Sequence, residues 1–267
     1  MLINVKGIVI RSVNISECDK LITIFTEEKG VVVAVANGSR TLKSRYLAAT
    51  QLFCYSNYVL YKKGDKLWVK EVELIESFFD LRYKIERAAL ATYVCDVINY
   101  VAMADVPDIP LLRLTLNTIF AASKEKHSLK KIKAAFELRA AAMLGFSPDI
   151  YSCSRCGKEH ADFYLDIMNG IITCSDCKNS SVQTLDALNE EYENAYVTKL
   201  AFVTDSVKEA MQYIINCPLE KLFSFTLSGE DLEAFCRAAE SYLLHQLDRD
   251  FVGLEYFRNI DLLKKPI

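Results

Sequence analysis

Glycine, proline and histidine are scarce in this chain: 9, 5 and 3 of them among 267 residues. So few glycines leave no G-x-x-x-x-G-K-[ST] or G-x-G-x-x-G loop, which excludes the usual backbone cradle for nucleotide phosphates. Little proline and glycine beside 51% hydrophobic and 25% charged residues excludes extended disorder. None of His127, His160 and His245 stands near a serine or cysteine in a nucleophile context. Carboxylate pairs such as Glu190-Glu191 and Glu230-Asp231 fall at apparent helix starts, where they serve the dipole better than acid–base chemistry. No catalytic constellation emerges, and the expectation is a protein that is not an enzyme. No apolar run reaches the roughly 18 residues of a membrane span. The stretch MLINVKGIVIRSV alternates apolar with polar residues and lacks a leader's apolar core and small-residue cleavage site. A soluble cytoplasmic protein is expected.

What is present is unevenly distributed. Net charge is −3, yet residues 1–70 hold 11 Lys+Arg against 5 Asp+Glu, a local +6, while residues 178–267 hold 9 against 15, a local −6. The front of the chain is therefore basic and its tail acidic. Residues 2–13, 20–27, 30–36, 51–61 and 66–76 are rich in Val, Ile, Tyr and Phe and bounded by Lys29-Gly30, Asn37-Gly38 and Gly64-Asp65. They read as five short strands, which fit a small closed barrel of either OB or SH3-like type. Character changes after Phe79, dividing the chain into a barrel domain over 1–79 and a helical domain over 80–267. Helical spacing covers 82–104, 110–122 and 128–144, with Ser128 as N-cap and Gly145 as the residue after the helix. Further helices are expected near 184–195, 205–216 and 229–247, the last opened by a capping box at Ser228.

Between the helical stretches lies CSRCGKEHADFYLDIMNGIITCSDC, residues 153–177. Its two Cys-x-x-Cys pairs, Cys153/Cys156 and Cys174/Cys177, are separated by seventeen residues, within the 15–20 range of zinc sites. The strand-like FYLDIM and IIT flank Asn169-Gly170, a strong hairpin turn, so the pairs are brought face to face. Gly157 lets the backbone fold tightly behind the first pair. Disulfides and redox pairs are the competing readings. The first is rare in reducing compartments, and the second wants one Cys-x-x-Cys opening a helix in a βαβ unit. A full four-thiolate shell leaves no open coordination position, so one Zn2+ there is structural. His160 is expected to face solvent. Cys18, Cys54, Cys95, Cys217 and Cys236 are scattered and are expected to be buried as small hydrophobes.

The informative polar stretch is NGSRTLKSRYL, residues 37–47, with Arg40, Lys43 and Arg45 in a loop between two strands. Clustered cations on a polar loop suit a phosphate backbone, where binding follows from charge neutralisation and counterion release. Arg11 and Lys20, near the ends of the first two strands, extend the patch. Of the nearby aromatics, Phe25, Tyr46, Phe53, Tyr55, Tyr58, Tyr61 and Trp68, about two are expected to face solvent as stacking platforms for single-strand bases.

Two stretches, ECDKLITIFTEEKGVVVAVANGSRTLKSR (17–45) and FELRAAAMLGFSPDIYSCSRCG (136–157), together resemble the bacterial recombination mediator family RecO. The resemblance runs through nearly the whole chain in the same order. It implies an α+β architecture: a five-stranded OB-type β-barrel followed by an α-helical domain with a zinc finger inserted at about 150–180. It also implies a non-enzymatic, nucleoid-associated role in DNA repair and homologous recombination. The family binds single- and double-stranded DNA and anneals complementary strands. With RecR it helps RecA load onto DNA coated by single-strand-binding protein. Arg40, Lys43, Ser44 and Arg45 match the family's basic loop, and Cys153, Cys156, Cys174 and Cys177 its metal ligands. Cys18 stands where the family has serine and is assigned no role. Lys130, Lys131 and Lys133 fall in the region implied to dock the acidic tail of single-strand-binding protein. The rival reading is a zinc-ribbon adaptor that contacts proteins only.

Overall fold

The computed structural model describes residues 1–41, 43–44, 46–124, 126–179 and 199–263, the side chains of 261–263 excepted. Arg45 and the helix expected near 184–195 lie outside the described residues. The chain divides into two compact units, Met1–Leu129 with Phe251–Ile267, and Lys130–Asp250.

The first unit begins with β1 (Leu2–Asn14), β2 (Lys20–Thr26), β3 (Gly30–Ala36), β4 (Tyr55–Lys63) and β5 (Lys66–Glu76). Alternate positions point inward, so Val5 and Val9, Ile22 and Ile24, Val32 and Ala34, Tyr58 and Leu60 fill one interior with Val69. The strands close in the order β1-β2-β3-β5-β4, with β4 returning to β1. Every pairing is antiparallel except β3 with β5, which is parallel at Ala34–Leu67 and Val35–Trp68. This connectivity is that of the OB barrel, and it decides between the two barrel types that strand spacing leaves open. A buried phenol requires a partner, and Tyr58 donates its hydroxyl to the Ala49 carbonyl at 2.9 Å. The remainder of the unit is a 3-10 turn (Phe79–Tyr83), α1 (Ile85–Val101), α2 (Ile109–Ser123) and, from the C-terminal segment, α6 (Val252–Leu263). α1 lies against β1, α2 and α6. Asp108 caps α2 by accepting the Leu111 N–H at 2.9 Å.

Gly30 is held at φ 57°, and its neighbour Val31 donates to the Met103 carbonyl at 3.0 Å. A β-carbon here would be driven into the carbonyl oxygens of Met103 and Val106. Gly30→Ala combines left-handed strain with that clash and is expected to cost about 2 kcal/mol or more. The check is a lowered urea midpoint at unchanged m-value.

The second unit contains α3 (Leu129–Met143), the sheet β7-β6-β8 built from β6 (Phe163–Asp166), β7 (Ile171–Cys174) and β8 (Leu200–Val203), then α4 (Asp205–Asn216) and α5 (Gly229–Leu247). α3 stops at Gly145, whose φ is 92°. Gly145 N–H donates to Ala142 O at 3.2 Å and Phe146 N–H to Ala141 O at 2.9 Å, the paired bonds of a Schellman cap. Arg139 reaches from α3 to the carbonyls of Ile214 and Ile215, satisfying acceptors that the end of α4 leaves over. Ser228 accepts the Asp231 N–H at 3.1 Å and caps α5. Among the described residues no helix is long and apolar enough to cross a membrane.

Candidate metal centre and cationic face

The hairpin anticipated around Asn169-Gly170 forms, with β6 and β7 paired from Phe163–Cys174 to Asp166–Ile171. Gly170 takes φ 67° and lies against the Tyr242 hydroxyl of α5, which a β-carbon would approach to 2.5 Å. The Cys153–Cys156 turn is closed by Gly157, at φ 72°, donating to the Cys153 carbonyl at 2.9 Å, while Cys153 N–H reaches the Lys158 carbonyl at 2.8 Å. Cys174 ends β7 and Cys177 lies in the helical residues 175–179.

These turns bring the four sulfurs within 4.8 Å of one another. Cys156 and Cys174 are 3.7 Å apart, Sγ to Sγ. A tetrahedral ion with metal–sulfur bonds of about 2.3 Å sets its ligands about 3.8 Å apart, so the spacing is that of a shared cation and far beyond a disulfide bond. The thiols also disagree about their protons. Burial would raise the Cys153 thiol, but backbone N–H groups of Cys174, Arg155 and Cys156 outweigh it and bring it down to about 6. Cys177 is pushed up to about 12, chiefly by its hydrogen bonds with Cys156 and Cys174. Crowded thiolates repel one another, and a dication is what lets all four ionise together. Cys153, Cys156, Cys174 and Cys177 can therefore hold a metal ion.

The centre is anchored to its own unit. Gln212 of α4 donates to the Ile150 carbonyl at 2.8 Å, Gln246 of α5 to the Ile167 carbonyl at 3.1 Å, and Lys208 to the Glu159 carbonyl. His160 is exposed and turns Nδ1 to Asp205 at 2.9 Å, away from the sulfurs. Of the remaining cysteines, Cys54, Cys95 and Cys217 are buried and Cys236 is half-buried. Cys18 is exposed and corrects the expectation that all five lie inside. It occupies the tight β1–β2 loop, whose Ser16 hydroxyl takes two backbone N–H groups and leaves no core for the thiol to enter.

In the first unit the loop after β3 folds back on the β1–β2 loop. Gly38 N–H donates to Asp19 at 2.8 Å, Arg40 N–H to the Cys18 carbonyl at 3.0 Å, and the Arg40 guanidinium to the Ser16 carbonyl. This docking sets Arg40 beside Lys20, which is 8% exposed and opposite Asn14 and Ala36 in the ladder. Arg82, in the 3-10 turn, is near enough for its field to reach Lys20. Burial first, then the fields of Arg40 and Arg82, lower the Lys20 ammonium below its ordinary pKa. Among the described residues, no ion pair joins Lys20, Arg40 or Arg82 to a carboxylate. Lys43 is exposed in the same loop. Arg11 is exposed on β1 opposite Thr23, three rungs along the ladder from Lys20 and so on the other face of the sheet, which corrects the expectation that it extends the same patch. The carboxylates of β5, Glu71, Glu73 and Glu76, are exposed on a different strand.

Of the seven aromatics considered, Phe25, Phe53, Tyr55 and Tyr58 are buried, and Tyr46, Tyr61 and Trp68 are half-buried. In the second unit Lys130 pairs with Glu233 at 2.7 Å and Lys131 donates to the Phe225 carbonyl. Lys133, 4% exposed, lies between Glu137 and Glu240 at 2.9 and 2.6 Å. Its charge is spent inside the unit.

Comparison with known proteins adds the decisive observation. The family model described as "Recombination protein O N terminal" matches residues 1–78, and "Recombination protein O C terminal" matches residues 82–195. The chain belongs to the RecO family. A curated relative from Acetivibrio thermocellus, "DNA repair protein RecO", is 32% identical over 259 residues, covering 97% of each chain. Proteins of the same name from Symbiobacterium thermophilum and Alkaliphilus metalliredigens are 30% and 28% identical, covering 96% and 97% of this chain and 96% and 100% of their own. RecO family membership makes this a DNA repair protein.

Proposed function

We propose that the protein is a recombination mediator that binds single- and double-stranded DNA through its barrel, without catalysing a reaction. The observation that carries this is the docking of the Arg40 loop beside Lys20, within the field of Arg82, with no carboxylate ion-paired to any of the three among the described residues. Three cations held together repel one another, and a polyanion relieves the repulsion as it releases its own counterions. Lys43 extends this contact in the proposal, and Arg45 adds to it by its place in the basic loop; Arg11, an odd number of rungs from Lys20, faces the other side of the sheet and is left out of it. Two strands neutralised on the same face repel each other less, which is the physical basis for annealing. Zinc is the ion proposed for the four cysteines, in a structural role, because a closed thiolate shell offers substrate no position. In this reading RecR and the acidic tail of single-strand-binding protein are the protein partners and RecA is loaded as a consequence. Lys130 and Lys131 are candidates for the acidic tail; Lys133 is not, because it is buried between two carboxylates.

The test is a salt titration of oligonucleotide binding by the full chain. The logarithm of affinity should fall by about 0.7 per log unit of salt for each single-strand phosphate contacted. Arg40→Ala with Arg82→Ala should weaken single and double strands alike and flatten that slope. Affinity indifferent to salt, or absent at low salt, would leave the protein-only adaptor as the better reading.

A further inference from the structure

Just past the barrel, the chain spends strain and polar partners on holding two aromatic rings in solvent. Phe78 sits at φ 46° and ψ 41°, the left-handed region that a bulky residue ordinarily avoids. The Glu76 carboxylate fixes it there, accepting the N–H groups of Ser77 at 2.9 Å and Phe78 at 3.0 Å, and Leu81 N–H closes the turn on the Phe78 carbonyl at 3.0 Å. Phe78 and Leu81 are buried, so the turn is pinned from within. Phe79 and Tyr83 are left 51% and 73% exposed, edge to face at a centroid separation of 5.4 Å. Burying either ring would gain apolar area; the turn instead presents both.

Their surroundings are cationic. Arg82 lies over the Phe79 ring at 5.6 Å, and it is the same Arg82 whose field reaches Lys20 beside Arg40. Of the two carboxylates at the turn, Asp80 is paired with Lys124 at 2.9 Å and Glu76 is taken up by the Ser77 and Phe78 N–H groups. That lysine also lies 5.5 Å from the ring of Phe120, itself 51% exposed on α2. Exposed rings beside unpaired cations are what an unpaired strand needs, since bases stack on π faces and guanidinium planes while phosphates meet charge. A duplex keeps its bases stacked on one another and has little use for such rings. An apolar partner surface would have to desolvate Arg82.

We propose that Phe79 and Tyr83 form a base-stacking platform for single-stranded nucleic acid, continuous with the cationic cluster at Lys20, Arg40 and Arg82. The proposal rests on the DNA-binding reading above and adds to it the element that tells single strands from duplex. Charge on the loop holds either form; the rings reward only the form whose bases are free.

The experiment measures anisotropy with the full chain and three probes of equal length: oligo-dT, an abasic deoxyribose-phosphate strand and a duplex. Phe79→Ala with Tyr83→Ala is expected to weaken oligo-dT about 10- to 100-fold and to leave the abasic strand and the duplex unchanged. Phe79→Leu with Tyr83→Leu keeps the apolar bulk, guards against a loss of fold, and should lose oligo-dT equally; Tyr83→Phe should retain it. Undiminished oligo-dT binding in both pairs, or a parallel fall with oligo-dT and the abasic strand, overturns the platform while the charge reading stands. A wild-type chain that binds none of the three probes overturns both.

Discussion

Replacing Cys174 with serine is expected to abolish metal binding and to unfold residues 153–177 together with the pairing of β8 to β6. Cys174 and Cys153 are 1% and 2% exposed, and Cys174 N–H points at the Cys153 sulfur from 3.3 Å. A hydroxyl is a poor substitute for thiolate toward a soft site and leaves three crowded sulfurs to share their charge. The hairpin is too small to bury its own core without the ion: Phe163, Leu165 and Ile172 belong to strands of four residues each. Structural zinc contributes on the order of 10 kcal/mol at neutral pH, comparable with the whole stability of a domain. The measurement is zinc per chain by mass spectrometry, with thermal melting in the presence and absence of a chelator. One zinc per wild-type chain, none in Cys174→Ser, and a chelator-sensitive melting point only in the wild type are expected. A wild-type melting curve indifferent to chelation would remove the structural role.

Much of this centre was legible because its determinants are local. Two Cys-x-x-Cys pairs, an Asn-Gly turn and alternating apolar residues specify a knuckle and a hairpin within 25 residues, and Gly145 ends α3 as its position foretold. The five barrel strands were legible for the same reason, since each is a run of alternating residues between turn formers. Their closure was not. OB and SH3-like barrels differ in which strands meet, and the parallel contact of β3 with β5 joins residues more than 30 positions apart. β8 escaped notice because Leu200–Val203 is only four residues long and becomes a strand by pairing with β6 across the insertion. The last helix, Val252–Leu263, was likewise not foreseen.

The sites show the same division. Arg40 and Lys43 could be picked out as a cationic loop, but Arg82 joins that loop only through a turn set by a left-handed Phe78, which no composition reveals. The strand aromatics are the expected exposed rings, yet the barrel interior claims most of them. The exposed rings stand instead in the 3-10 turn that follows the sheet, where the backbone turns outward. Lysine runs mislead in the opposite sense. SLKKIKAAF reads as a solvated helix face, yet Lys133 is enclosed because Glu240, on another helix, comes to meet it.

Lys133→Met is accordingly expected to cost about 3–5 kcal/mol, the usual loss when one member of a buried ion pair is removed. The loss arises from what remains: Glu137 is fully buried and Glu240 mostly so, and both would lose their cation. Adding Glu137→Leu to Lys133→Met should recover much of the stability, because Glu240 keeps some access to water and two apolar side chains can fill the space. The pH dependence separates electrostatics from packing. Burial alone would lower the Lys133 pKa, but the attraction and hydrogen bonds of Glu137 and Glu240 together outweigh it and raise it above the ordinary lysine value. A folded pKa above the unfolded one means that the stabilisation is complete below the unfolded value of about 10.4 and is lost as pH climbs through the folded one. Urea denaturation between pH 8 and the alkaline range should therefore show the wild type losing its advantage over Lys133→Met as the ammonium deprotonates. A difference between the two chains that stayed constant with pH would assign the effect of Lys133 to packing instead of charge.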